Sequence, residues 1–157
     1  MGPVRQIVGM LRLLILLVVT SFGWPVAPPA VVRPFDPPAR PWLPGHRGID
    51  IAAPPSAVVR AAGAGTVLFA GTIAGRGVVS VGHAGGLRTT YEPVTATVDL
   101  GTVVVRGDPI GRLEAGHHGC PQVACLHWGL RRGPLYLDPL ALLGLGRVRL
   151  LPLDQAR

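Results

Sequence analysis

From residue 45 to residue 143, glycine or proline breaks the chain every few positions, and the stretches between are rich in Val, Thr and Ala. Such a chain has little room for long helices, because glycine and proline are both poor residues for a helix interior. Short β-branched stretches bounded by glycine read as strands joined by tight turns. Gly65-Thr66-Val67-Leu68-Phe69-Ala70-Gly71 is one, and Gly77-Val78-Val79-Ser80-Val81-Gly82-His83 is another. Ala84-Gly85-Gly86 then turns the chain into Leu87-Arg88-Thr89-Thr90-Tyr91, which makes a hairpin. Further strands are expected at 102–105, 110–113 and 125–130. Turn signals about 8–12 residues apart indicate an all-β domain, a two-sheet β-sandwich or barrel-like body. One short C-terminal helix is expected at 138–143, with Asp138 as its N-cap and Pro139 at its first position.

The ends of the chain differ in character. Arg5 and Arg12 precede an apolar run at 13–19, and the small residues Thr20, Ser21 and Gly23 follow. A basic start, a short apolar centre and a small-residue exit describe a secretory signal over 1–23. The run is shorter than the roughly 20 apolar residues that span a bilayer. The reading is therefore export to the outside or the cell envelope, with membrane attachment only if this segment is retained. Residues 24–44 hold eight of the 17 prolines and are expected to be a linker, with Phe35 and Trp42 as aromatics able to dock back onto the body. The last 14 residues, 144–157, read as a tail of undecided structure.

Composition removes several functions. All fifteen basic residues are Arg, against eight acidic ones, for a net charge of +7. Without Lys there is no P-loop lysine, no Schiff-base amine and no lipoyl or biotinyl attachment site. The basic excess comes with no nucleic-acid-binding motif, so no nucleic-acid partner is expected. Arg131-Arg132 reads as a solvated basic face. Glycine and proline make up 39 of 157 residues, a share that approaches disordered composition, but the hydrophobic fraction of 48% argues for a packed core.

Two segments carry candidate chemistry. In Gly45-His46-Arg47-Gly48-Ile49-Asp50-Ile51, His46 and Asp50 are four apart. Helical spacing would put them on one face, but Pro44, Gly45, Gly48 and Ile49 oppose a helix. In a straight strand they would share a face yet lie roughly 13 Å apart. A shared metal therefore requires the chain to bend, with Gly48 the expected place. In Cys125-Leu126-His127-Trp128 the strand period of two puts Cys125 and His127 on one face, with Leu126 and Trp128 on the other. Cys120 and Cys125 are the only cysteines, and an even count in an exported chain favours a disulfide. The alternatives for Cys125 are a thiolate base or a fourth metal ligand.

Together, GHRGIDI, CLHWGLRRG and LYLDPLALL resemble the lysostaphin-type zinc endopeptidases of bacterial cell walls, whose LytM-like domain has the duplicated hybrid motif fold. The stretches between agree: Val58-Val59-Arg60-Ala61 with Gly65 and Gly71, then His83-Ala84-Gly85-Gly86-Leu87-Arg88-Thr89-Thr90-Tyr91, then Gly107-Asp108-Pro109-Ile110-Gly111. The resemblance covers 45–143 and implies a two-sheet β fold with one Zn²⁺ in a groove, held by His46, Asp50 and His127. Such a site with an open fourth position suits water activation.

Two departures set an expectation about activity. The family carries a His where this chain has Cys125, and a second His where Pro93 follows Tyr91-Glu92. Loss of general acid–base help costs roughly 10²–10⁴-fold. The expectation is a domain acting at peptidoglycan that is weakly active, or a non-catalytic member that binds wall peptides or regulates another wall hydrolase. The alternative is an active zinc endopeptidase with a substitute base. Glu92, expected on the opposite side of its strand, is one substitute. His117 or His118, reaching in from a loop, is the other.

Overall fold

The computed structural model describes residues 21–146. The expected signal segment before Ser21 and the tail beyond Gly146 lie outside the described residues. Among the described residues, eleven strands follow one another. They are β1 (Val31–Arg33), β2 (Gly48–Ala52), β3 (Val58–Arg60), β4 (Gly65–Ile73), β5 (Arg76–Gly82), β6 (Leu87–Glu92), β7 (Val94–Ala96), β8 (Val103–Val104), β9 (Pro109–Leu113), β10 (Cys125–Arg132) and β11 (Leu135–Leu137). An eight-stranded sheet runs in the order β1-β2-β10-β6-β5-β4-β8, with β11 also paired to β10, and a second sheet runs β3-β9-β7. The protein is all-β with two sheets, as the glycine spacing requires.

The expected hairpin is β5 and β6, turned by a short 3-10 stretch at Ala84–Gly86. Gly85 and Gly86 both have φ above +70° there, a region open to glycine and costly for most other residues. The C-terminal helix is a 3-10 turn, Pro139–Leu143, whose Leu140 amide donates to the Asp138 side chain at 3.0 Å. Gly144 closes it in the left-handed conformation.

Strand alternation sorts the residues by face. Ile49 and Ile51 of β2, Tyr91 of β6, and Leu126 and Trp128 of β10 are fully buried in the core, with Val59 and Ile110 from the second sheet. Their neighbours Asp50 and His127 therefore emerge on the other face of the large sheet. Burying an aromatic side chain as large as Trp128 stabilises the body by several kcal/mol.

The proline-rich stretch departs from a pure linker. It contributes β1, which pairs antiparallel with β2, and Val26 and Phe35, which join the core. Trp42, by contrast, is 73% exposed. Val31-Val32-Arg33 contains no proline, and an edge strand tolerates prolines at its ends because only one side needs donors. The chain just before it is also docked. The Gly23 amide donates to the Ala62 carbonyl at 2.8 Å, and Phe22 sets its ring edge-on to His83.

Candidate metal centre

Pairing between β2 and β10 places His127 directly opposite Asp50. His127 Nδ1 lies 2.8 Å from Asp50 Oδ1. His46 precedes β2 and forms an isolated bridge with Asp36, which carries its ring back over the strand. Its Nε2 is 3.0 Å from the same Asp50 oxygen and 3.1 Å from His127 Nδ1. These three atoms form a nearly equilateral triangle. Ligands about 2.0–2.1 Å from a tetrahedral zinc lie only slightly further apart, at about 3.3–3.4 Å.

The surrounding hydrogen bonds fix the chemistry of the triangle. His46 Nδ1 donates to the Pro34 carbonyl at 2.7 Å, so a neutral ring presents only a lone pair at Nε2. That lone pair faces a carboxylate oxygen, an arrangement that is favourable only with a proton or a cation between them. Asp50 is fully buried, and its Oδ2 has no hydrogen-bond partner. Burial alone would raise the Asp50 carboxyl. Hydrogen bonds from His117 and His127 and the nearby charges of His46 and His127 outweigh it and hold the group well below the usual carboxylate range. A buried anion with an unused oxygen beside two imidazole nitrogens is a donor set that fits zinc.

Gly48 serves the centre by being small. A Cβ there would stand 2.5 Å from the Trp128 carbonyl oxygen and 2.7 Å from His127 Nε2. The His127 ring lies over the bare Cα of Gly48, inside regular β2. The sequence pointed to a bend at this residue. The structure instead brings His46 back before the strand begins and uses Gly48 for close approach.

The centre opens into a groove of about 490 Å³ whose wall includes Arg33, Arg76, Glu92, His117, His118 and Tyr136. Glu92 pairs across β6 and β10 with His127 and so shares its face, against the expectation that it points the other way. It is engaged by Arg76 at 3.7 Å. Cys125 is bonded to Cys120 in a disulfide, which removes it as a base or ligand. His83 lies away from the centre, bridging the Ala64 carbonyl and the Thr89 hydroxyl at 2.8 Å each.

His117 was legible only as a loop residue able to reach in. The structure puts it at the centre, its Nε2 3.3 Å from Asp50 Oδ1 and its side chain only 8% exposed. Among the described residues, the set whose ligand atoms all lie within 4.8 Å of one another is His46, Asp50 and His127, and His117 falls outside it. His118, beside it, is exposed.

Residues 44–139, more than half of the chain, match the family model described as peptidase family M23. The chain belongs to peptidase family M23. This is the zinc-dependent family to which the lysostaphin-type resemblance pointed. Among curated relatives, the uncharacterized protein Rv2891 of Mycobacterium tuberculosis is 55% identical over 140 residues, covering 86% of this chain and 56% of that protein. This chain thus spans little more than half the length of the curated relatives it matches. Two solved structures share the fold. Csd3 of Helicobacter pylori aligns with TM-score 0.63 and 28% identity, over 83% of this chain and 34% of that one. Lysostaphin aligns with TM-score 0.62 and 22% identity, over 81% and 55%.

Proposed function

We propose that this M23 domain binds one zinc ion through His46 Nε2, Asp50 and His127 Nδ1 and hydrolyses peptide cross-links of peptidoglycan in the cell envelope. One observation carries the reading: three ligand atoms lie 2.8 to 3.1 Å apart around a buried carboxylate whose other oxygen is unpartnered. Bound zinc would supply an acidified water and a Lewis acid for a peptide carbonyl. The chain's own residues fix the imidazole tautomer through Pro34, keep Asp50 ionised and leave one side open to the groove. Export through the segment 1–23, and a disulfide formed outside the cytoplasm, fit a wall substrate. Metal analysis of chain refolded with zinc tests the site. One zinc per chain, lost in His46→Ala and Asp50→Ala, is expected, and metal-free wild type would refute it. Release of new amines from purified peptidoglycan tests the activity.

A second reading has its own support. Cys125 and Pro93 occupy both positions where the resembled enzymes carry catalytic histidines. A non-catalytic member would keep zinc and bind wall peptides or another wall hydrolase without releasing amines. The hydrolytic reading is preferred because a further histidine stands at the centre.

A further inference from the structure

We propose that His117 is the proton-handling residue of this site, a catalytic residue supplied by the 116–124 loop and held in place by the Cys120–Cys125 disulfide. The inference rests on the zinc site proposed above and goes beyond it, because it assigns a residue from outside the two family motifs.

Three observations converge on His117. Its Nε2 is 3.3 Å from Asp50 Oδ1, on the groove side of the centre, and its side chain is more than nine-tenths buried. Its Nδ1 is buried with no hydrogen-bond partner. A histidine kept for structure normally has its ring nitrogens satisfied, whereas unsatisfied buried groups gather at functional sites. Finally, His117 lies outside the set of mutually close ligand atoms. Two ligands of one zinc, each about 2.1 Å from it, cannot stand more than about 4.2 Å apart. His117 is therefore beside the metal position and does not complete its shell.

The loop shows how the residue is delivered. Cys125 opens β10, two residues before His127 and on the same face. Its bond to Cys120 ties the loop to the strand that carries His127. Inside the loop, the Cys120 amide donates to the His117 carbonyl at 3.2 Å, and the Gly116 amide donates to the Val123 carbonyl at 3.3 Å. The cysteine standing where a catalytic histidine is expected thus anchors the loop that brings in a different histidine. In the reaction, the water oxygen bonds to the peptide carbonyl carbon as one water proton passes to the His117 imidazole. The C–N bond then breaks, and that proton goes to the leaving amine.

The experiment uses the full oxidised chain, with purified peptidoglycan as the probe. His117→Asn is expected to lower amine release about 10²–10⁴-fold while zinc content and zinc affinity stay within about twofold of wild type. In the Cys120→Ser/Cys125→Ser double variant, and in wild type after thiol reduction, metal-free His117 is expected to react with diethylpyrocarbonate several-fold faster, read by peptide mass spectrometry. Retained activity in His117→Asn overturns the inference, as does a large loss of zinc affinity in that variant, which would make His117 a ligand. Unchanged His117 reactivity in both disulfide-free forms overturns the role of the disulfide. Wild type that binds zinc but releases no amine overturns this inference and leaves the metal site standing. Wild type that binds no zinc overturns the site itself.

Discussion

His46 Nδ1 lies 2.7 Å from the carbonyl oxygen of Pro34, a residue of the proline-rich segment that precedes the peptidase motifs. That bond orients the ring so that Nε2 faces Asp50, and it ties the proposed zinc site to a stretch that composition alone assigns to a linker. Outer hydrogen bonds of this kind are commonly worth 10–100-fold in metal affinity. Removal of residues 21–38 is expected to weaken zinc binding by about that factor, measured by chelator competition. A melting curve of the same protein shows whether the body remains folded. Unchanged affinity in a folded truncated chain would remove the Pro34 contact from the account.

Asp50→Asn keeps the shape of the side chain and removes its charge. The carboxylate supplies the one oxygen atom of the triangle, and its low proton affinity depends on the imidazoles around it. The variant is expected to lose stoichiometric zinc, read by atomic spectroscopy after dialysis, while its far-ultraviolet circular dichroism stays that of the wild type.

Gly48→Ala probes close approach. The new methyl would meet the Trp128 carbonyl and the His127 ring inside 3 Å. Overpacking of this kind costs about 1–3 kcal/mol, to be read from urea unfolding. Because the His127 ring is the side chain that must give way, zinc affinity is expected to fall in parallel. A variant as stable as wild type, with full zinc affinity, would show that the ring has room to move.

His83 gives the protein an acid-sensitive contact distant from the centre. Burial holds its imidazole below the ordinary value, partly offset by the hydrogen bond to the Ala64 carbonyl. The unfolded chain therefore takes up this proton first as pH falls. The sign follows: the contribution is complete above about pH 6.5 and is lost as pH drops toward the folded value. Metal-free wild type should lose stability on acidification more steeply than His83→Asn, by at most about 1.4 kcal/mol per pH unit. Thermal melts of both proteins across that range measure the difference, and parallel curves would assign the acid sensitivity elsewhere.

The β body was legible because its signals are local. Gly85-Gly86 turns the hairpin, Asp138-Pro139 starts the last helical turn, and alternation along Cys125–Trp128 sorts the core from the groove. What escaped the sequence depends on pairing between distant segments. Val31–Arg33 is a strand only because β2 offers it a partner. Glu92 faces the groove because its register with His127 puts it there. The Pro34 carbonyl carries no side-chain signal at all. His117 left a partial trace, a histidine three residues before a cysteine whose partner begins the strand that carries His127, but only the fold shows where that loop comes to rest.

The large sheet ends at β1, and β1 is bounded by Pro29 on one side and Pro34 on the other. An open sheet edge is a template on which another extended chain can add. Here only four residues, Ala30 to Arg33, separate the two prolines, too few for a stable added strand, and the flanking rings offer no N–H groups to continue the ladder. The residues that disguise this segment as a tether thus also shorten the edge on which another extended chain could add beside β2.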